Sequence, residues 1–166
     1  MTEKQFYEII YRRLGKLTPI PVDCGQLCGG ACCEGDRNGD GMYLFPGEEK
    51  MYGDISSWAM ISQTDFEYEN GVFAPLFACD GVCDRNERPL SCRIFPLTPY
   101  VDKSGKLKVI IDPRGRTLCP MTALHLSDFD GEFVKAVYAV SKILMKNPHC
   151  RAFITSFSRM IDENLY

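Results

Sequence analysis

The sequence predicts a small α+β domain, and three observations carry that reading. Apolar residues recur at helical spacing near the N-terminus and again from Ser127 onward. Two segments of strand-like composition lie between them, each folded about a turn signal. Joining the first helix to those strands, Asp23 to Gly41 consists of Gly, Cys, Asp and Asn with almost no large apolar side chain. The 166 residues, 45% hydrophobic and 25% charged, suffice for one domain with its own core and are too few for several. No repeat, low-complexity tract or linker interrupts the chain, so residues 1–166 are expected to fold as one unit.

Thr2, with Gln5 three residues on, forms a capping box, and Phe6, Ile9, Ile10, Leu14 and Leu17 then follow at helical spacing. A helix over Glu3 to Lys16 is therefore expected, ended by Pro19 and Pro21. Met42 to Phe45 is a short apolar run. Pro46 with Glu48 and Glu49 suggests the first turn of a short helix, its carboxylates at the positive end of the dipole. Asn70-Gly71 between Asp65–Glu69 and Val72–Ala78 predicts a hairpin. A second hairpin is expected to turn at Asp102 to Gly105, joining Leu97–Val101 to Lys106–Ile111, where Leu107, Val109 and Ile111 alternate with lysines. Ser127 with Asp130 starts a helical segment carrying Phe129, Phe133, Val137, Val140 and Leu144, stopped by Asn147-Pro148. A last helix sets Cys150, Phe153, Ile154, Phe157, Met160 and Ile161 on one side.

Charge and hydropathy exclude several classes. The 19 Lys and Arg against 22 Asp and Glu give a net charge of −3, without the basic excess that nucleic acid requires. Glu3, Lys4, Glu8, Arg12, Arg13 and Lys16 interrupt any secretory h-region, and no stretch approaches a membrane span. A cytoplasmic location and no membrane partner are the expectation. A protein partner or protein substrate is compatible with this surface, though the sequence names none.

Nine cysteines are the unusual feature. In a reducing compartment, clustered cysteines are more often ligands than disulfides. Eight of them, Cys24, Cys28, Cys32, Cys33, Cys79, Cys83, Cys92 and Cys119, lie in Gly- or Pro-flanked loops. Cys24 with Cys28, Cys28 with Cys32, and Cys79 with Cys83 each enclose three residues, a gap that lets one turn present two ligands. Eight thiolates would satisfy two zinc ions, or one metal plus an iron-sulfur cluster. Successive side chains in an extended segment diverge, so adjacent Cys32 and Cys33 are expected to serve different sites. Arg85, Arg88 and Arg93 would offset thiolate charge. The metal-binding region then covers about residues 23–120, and the helical part about 127–165.

Cys24 through Cys33, followed by Arg88-Pro89-Leu90-Ser91-Cys92-Arg93-Ile94-Phe95-Pro96-Leu97 and by Cys119-Pro120, resembles the bacterial YkgJ-like cysteine-cluster proteins, described as zinc- or iron-chelating. The family pattern is CxxCxxCC, whereas both gaps here hold three residues. The resemblance implies that the eight cysteines bind zinc or iron. Flagellin lysine methylases carry a related cluster thought to hold an iron-sulfur centre, which keeps open the alternative of iron or a [4Fe-4S] cluster with redox or modification chemistry. This chain lacks the Gly-rich nucleotide-binding pattern that methyl transfer would need, and no catalytic constellation is identifiable.

Other features are weighed against plainer readings. Asp36, Asn38, Asp40 and Gly41 match the opening of a calcium loop, but the twelfth position is Gly47 and a polar turn is the better expectation. His125 lies near Cys119 and could replace a ligand, with capping as the alternative. Cys150, on a helical apolar stripe, reads as a buried thiol, and Trp58, Tyr43 and Phe45 as core.

Overall fold

The computed structural model describes residues 1–34, 40–81 and 83–164. Helix α1 (Glu3–Leu14) begins with the expected box: Gln5 N–H donates to Thr2 Oγ1 at 3.2 Å and Thr2 N–H to Gln5 Oε1 at 2.9 Å. Its buried residues are Tyr7, Ile10 and Leu14, while Ile9 is 40% exposed. The packed face is thus rotated from the one the aliphatic residues alone suggest. Tyr7 turns inward because its hydroxyl finds the Pro46 carbonyl at 2.9 Å, so that a large ring is buried with its polar end satisfied.

Strands β1 (Met42–Tyr43), β2 (Ala59–Glu69) and β3 (Val72–Cys79) form an antiparallel sheet in the order β1-β3-β2. The Asn70-Gly71 turn is present, with Gly71 at φ 73°. β2 begins at Ala59 rather than at Asp65. Its first half shows no alternation because it is held by β3 instead, in a register running from Ala59 opposite Cys79 to Gln63 opposite Pro75. The register then shifts twice before Glu69, next to Pro75, which has no N–H to give the ladder. Strands β4 (Leu97–Val101) and β5 (Leu107–Ile111) make the second hairpin. Asp102 Oδ1 accepts from the amides of Ser104 and Lys106 across its turn, both at 3.0 Å.

Four further α-helices complete the fold among the described residues; α2 (Gly25–Cys28) and α3 (Leu90–Ile94) are short, whereas α4 (Gly131–Leu144) is long. Asp130, not Ser127, caps α4, its carboxylate accepting from Glu132 and Phe133 amides at 3.0 and 2.9 Å. Ser127 belongs instead to a separate 3₁₀ turn, Leu126–Asp128. The last helix, α5 (Pro148–Asn164), opens on a proline at a position that needs no N–H, and Asn147 Oδ1 accepts from the amides of His149 and Cys150. No helix among the described residues is long and apolar enough to cross a membrane.

The main core lies where α5 covers the sheet. Phe153 and Phe157 stack at 6.0 Å, and Tyr43 and Phe66 meet both rings at steep angles. Tyr68 and Phe45 also pack on Phe153. A second, smaller core of Leu44, Ala59 and Phe77, flanked by Trp58, Tyr52 and Cys79, occupies the other side of the sheet. Phe153→Ala should cost about 3–5 kcal/mol by the usual large-to-small penalty. Ile9→Ala should change stability by less than about 0.5 kcal/mol, as exposed substitutions do. Urea unfolding of both variants checks the rotated face of α1.

Candidate metal centre

The eight loop cysteines lie on four separate stretches of chain, 24–33, 79–83, 92 and 119. Cys24 precedes α2 and Cys28 ends it, one helical turn apart, with the Cys28 thiol 3.8 Å from the Cys24 carbonyl oxygen. Gly29 and Gly30 take φ of 67° and 74°, left-handed values that cost a glycine nothing, and turn the chain into a 3₁₀ segment, Ala31–Cys33. Cys32 is exposed there and Cys33 half-buried. Cys79 ends β3, and Cys83 follows a loop whose Gly81 has φ 81°. A side-chain carbon at Gly81 would sit 2.5 Å from the Cys33 carbonyl oxygen, so these two loops touch backbone to backbone. Cys92 is the middle residue of α3, and Cys119 lies buried just before a 3₁₀ turn at Pro120–Ala123.

The thiols sense one another. Burial is the largest effect pushing up Cys24, and the charges of Asp23, Cys119 and Cys28 push it further. Cys92 is raised by burial and then by Cys33, Cys79 and Cys83. Cys83 is raised by burial, with Cys79 and Cys33 adding to it, against the opposing pull of Arg88. Cys119 is raised by burial and by Cys28. The Cys32 thiol shares a hydrogen bond with Cys33, which holds Cys33 below the ordinary thiol range and Cys32 above it; Arg88 also favours the Cys33 thiolate. Thiols that oppose each other's ionisation become thiolates once a cation takes up the charge. All nine cysteines are free thiols. Among the described residues, no three His, Cys, Asp or Glu side chains stand converged as a finished cage.

The arginines divide their work. Arg88 hydrogen-bonds Cys83, and the charges of Cys83, Cys33 and Cys92 raise its own pKa against burial. Its buried Nε has no partner. Arg85 acts on Cys24. Arg93 donates to the Arg88 and Asn86 carbonyls and lies 4.0 Å from the Tyr11 ring centre. One cleft has Cys24 and Cys92 together in its wall, with Asp23, Arg85, Arg88 and Arg93.

Glu48 was legible in the sequence only as a dipole partner. In the fold it is fully buried, in a 3₁₀ turn (Glu48–Met51), where it accepts from Leu90 N–H at 2.5 Å, Phe45 N–H at 3.0 Å and Tyr11 hydroxyl at 2.5 Å. It thereby fixes the first residue of α3, two positions before Cys92. The sequence gives no sign of this 42-residue connection, nor of α3 itself, which is too short for periodicity to register.

The remaining candidates take plainer roles. His125 forms a box with Asp128, and its N–H donates to Asp128 Oδ2 at 2.9 Å. Cys150 is 0% exposed, 3.6 Å from the Tyr7 hydroxyl, and burial raises its thiol to about 11. Phe45 belongs to the main core, Tyr43 packs against it, and Trp58 flanks the smaller one. Asp36 and Asn38 of the calcium-like segment lie outside the described residues. Gly41 lies so close to the Phe77 carbonyl that a Cβ there would collide with it, which gives this glycine a packing reason in the approach to β1. Comparison with protein-family models, with curated proteins and with solved structures returned no match for this chain.

Burial raises the Glu48 carboxyl to about 7 despite its three donors. The native state therefore holds a proton that the unfolded chain releases at its ordinary value of 4.5, so this group's contribution to stability is present at low pH and is lost as pH rises toward 7. Urea unfolding across that window should show a steeper decline in the wild type than in Glu48→Gln. Parallel profiles would contradict it.

Proposed function

We propose that this protein binds metal, with Cys24, Cys28, Cys32, Cys33, Cys79, Cys83, Cys92 and Cys119 holding two zinc ions as thiolates. The observation that supports this is that each of the eight has another of the eight within reach of its charge, whereas Cys150 answers to Tyr7, Glu48 and Glu3. Sulfur donors suit zinc, and four fill its tetrahedron. Four thiolates on a divalent ion leave about two negative charges. Arg88, with its unpartnered buried Nε, and Arg85 are placed to offset them.

The ions would order the loops that carry their ligands. Neither α2 nor the Ala31–Cys33 turn has a buried residue. Fixing such backbone costs about 1–2 kcal/mol per residue, which apolar packing here does not offset. Structural zinc contributes on the order of 10 kcal/mol when its site forms only on folding. The α4 and α5 helices have apolar faces of their own and need no such help. An all-sulfur set of this kind also suits an iron-sulfur cluster, the second reading.

Elemental analysis of anaerobically prepared protein should return about two zinc per chain, by the four-ligand rule. Less than one metal of any kind would sink the proposal, and iron with acid-labile sulfide and broad visible absorption would replace zinc by a cluster. Cys150→Ser should leave metal content unchanged, whereas Cys92→Ser should lower it. On adding a strong chelator, amide exchange should rise across Cys24 to Cys33 while Phe133 to Leu144 stays protected.

A further inference from the structure

We propose that the cleft between α1, the loop over residues 52–58 and the Arg85–Glu87 turn binds a small quaternary ammonium compound, held against Tyr52 and Trp58 and neutralised by Asp54 and Glu87. None of the residues lining this cleft is a cysteine, so the inference stands apart from the metal-binding reading.

The walls are aromatic and set in advance. The cleft measures about 200 Å³, below the roughly 300–1,000 Å³ of sites for drug-sized molecules, and so suits a compact ligand. Tyr11, Tyr52 and Trp58 line it, with Met51 beside them. Tyr52 and Trp58 are half-buried and rest on one buried ring, their centroids 4.9 and 5.5 Å from that of Phe77. The Tyr52 hydroxyl lies 3.3 Å from that of Tyr11, which is itself held by Glu48. Backbone bonds brace the loop that presents the rings: Tyr52 N–H donates to the Glu49 carbonyl at 3.2 Å and Trp58 N–H to the Ile55 carbonyl at 3.0 Å.

Charge selects the ligand. Asp54 and Glu87 line the cleft, and among the described residues no Lys, Arg or His does so. Asp54 accepts from neutral donors, the Ser56 amide at 3.0 Å and hydroxyl at 2.6 Å, which hold its carboxyl below the ordinary range. The Glu87 carboxylate has no hydrogen-bond or ion-pair partner among the described residues. Arg93 already lies 4.0 Å from the Tyr11 ring centre, which leaves Tyr52 and Trp58 as the rings without a cation. Aromatic faces attract a cation, and two carboxylates raise its local concentration. A bare ammonium is strongly hydrated and loses hydrogen bonds on entering, whereas a methylated one brings apolar surface to the rings. The same carboxylates repel a phosphate, so a free compound fits the cleft better than a phosphocholine head group.

Trp58 is the only tryptophan of the chain and reports on the cleft directly. Titrating the full chain with choline should change its fluorescence saturably, with half-saturation at about 1 mM or below, an affinity within reach of two cation–π contacts. Tetramethylammonium should behave alike. Ammonium, phosphocholine and the neutral tert-butyl analogue of choline should each bind at least about tenfold more weakly. Glu87→Gln alters an exposed, unpartnered side chain, so it should fold as the wild type does and weaken choline about two- to fivefold. Trp58→Leu, followed by calorimetry, should weaken it at least about tenfold. No saturable change in fluorescence, equal affinity for the neutral analogue, or undiminished binding by a folded Glu87→Gln chain overturns the proposal. Tighter binding of phosphocholine than of choline overturns the assignment to a free compound.

Discussion

The carboxylate of Glu48 is the tie on which the cysteine side of the fold hangs. Fully buried, it takes hydrogen bonds from α1 through Tyr11, from the exit of β1 through Phe45, and from the start of α3 through Leu90. A carboxyl without partners would be costly in that place, whereas three donors make it tolerable and lock together segments far apart in sequence. Because α3 has only five residues and could not persist alone, the position of Cys92 is set by this carboxylate and by Ser91 on Tyr43. Tyr11 extends the tie outward, its ring under the guanidinium of Arg93, which in turn pins the Arg88 and Asn86 carbonyls.

Two kinds of order meet in this chain. The aromatic rings between α5 and the sheet, with Phe153 and Phe157 stacked at their centre, supply apolar burial that needs no cofactor. The loops bearing Cys24 to Cys33 supply almost none, and their geometry depends on glycines at positive φ and on contact with the Gly81 loop. Burial is the main cause that raises the Cys24, Cys83, Cys92 and Cys119 thiols, and neighbouring sulfurs add to it.

The arginines of this region differ in what they contact. Arg88 is drawn to three sulfurs and its buried Nε lacks a partner, while Arg93, only five residues on, is spent on carbonyls and a ring. Residues of one type in one short segment thus serve different ends while lining one cleft.

The sequence by itself determined the α+β class, the capping box of α1, both hairpin turns and the two long helices, since each is written in a local pattern of caps, turn residues or period. It also placed Cys150 on the apolar stripe of the last helix, where the residue is buried, because a helical stripe is legible within a few turns. Tertiary structure alone decided that β2 starts at Ala59, that Tyr7 rather than Ile9 faces the core, that Asp130 displaces Ser127 as the cap of α4, and that Glu48 is buried. The reason is common to all four: each depends on a partner distant in sequence or on a choice between two adequate local signals. Spacing could mark the cysteines as a set, but the contact of the Gly81 loop with the Cys33 carbonyl, and the cleft that Cys24 shares with Cys92, join segments far apart in sequence and were decided by the tertiary structure.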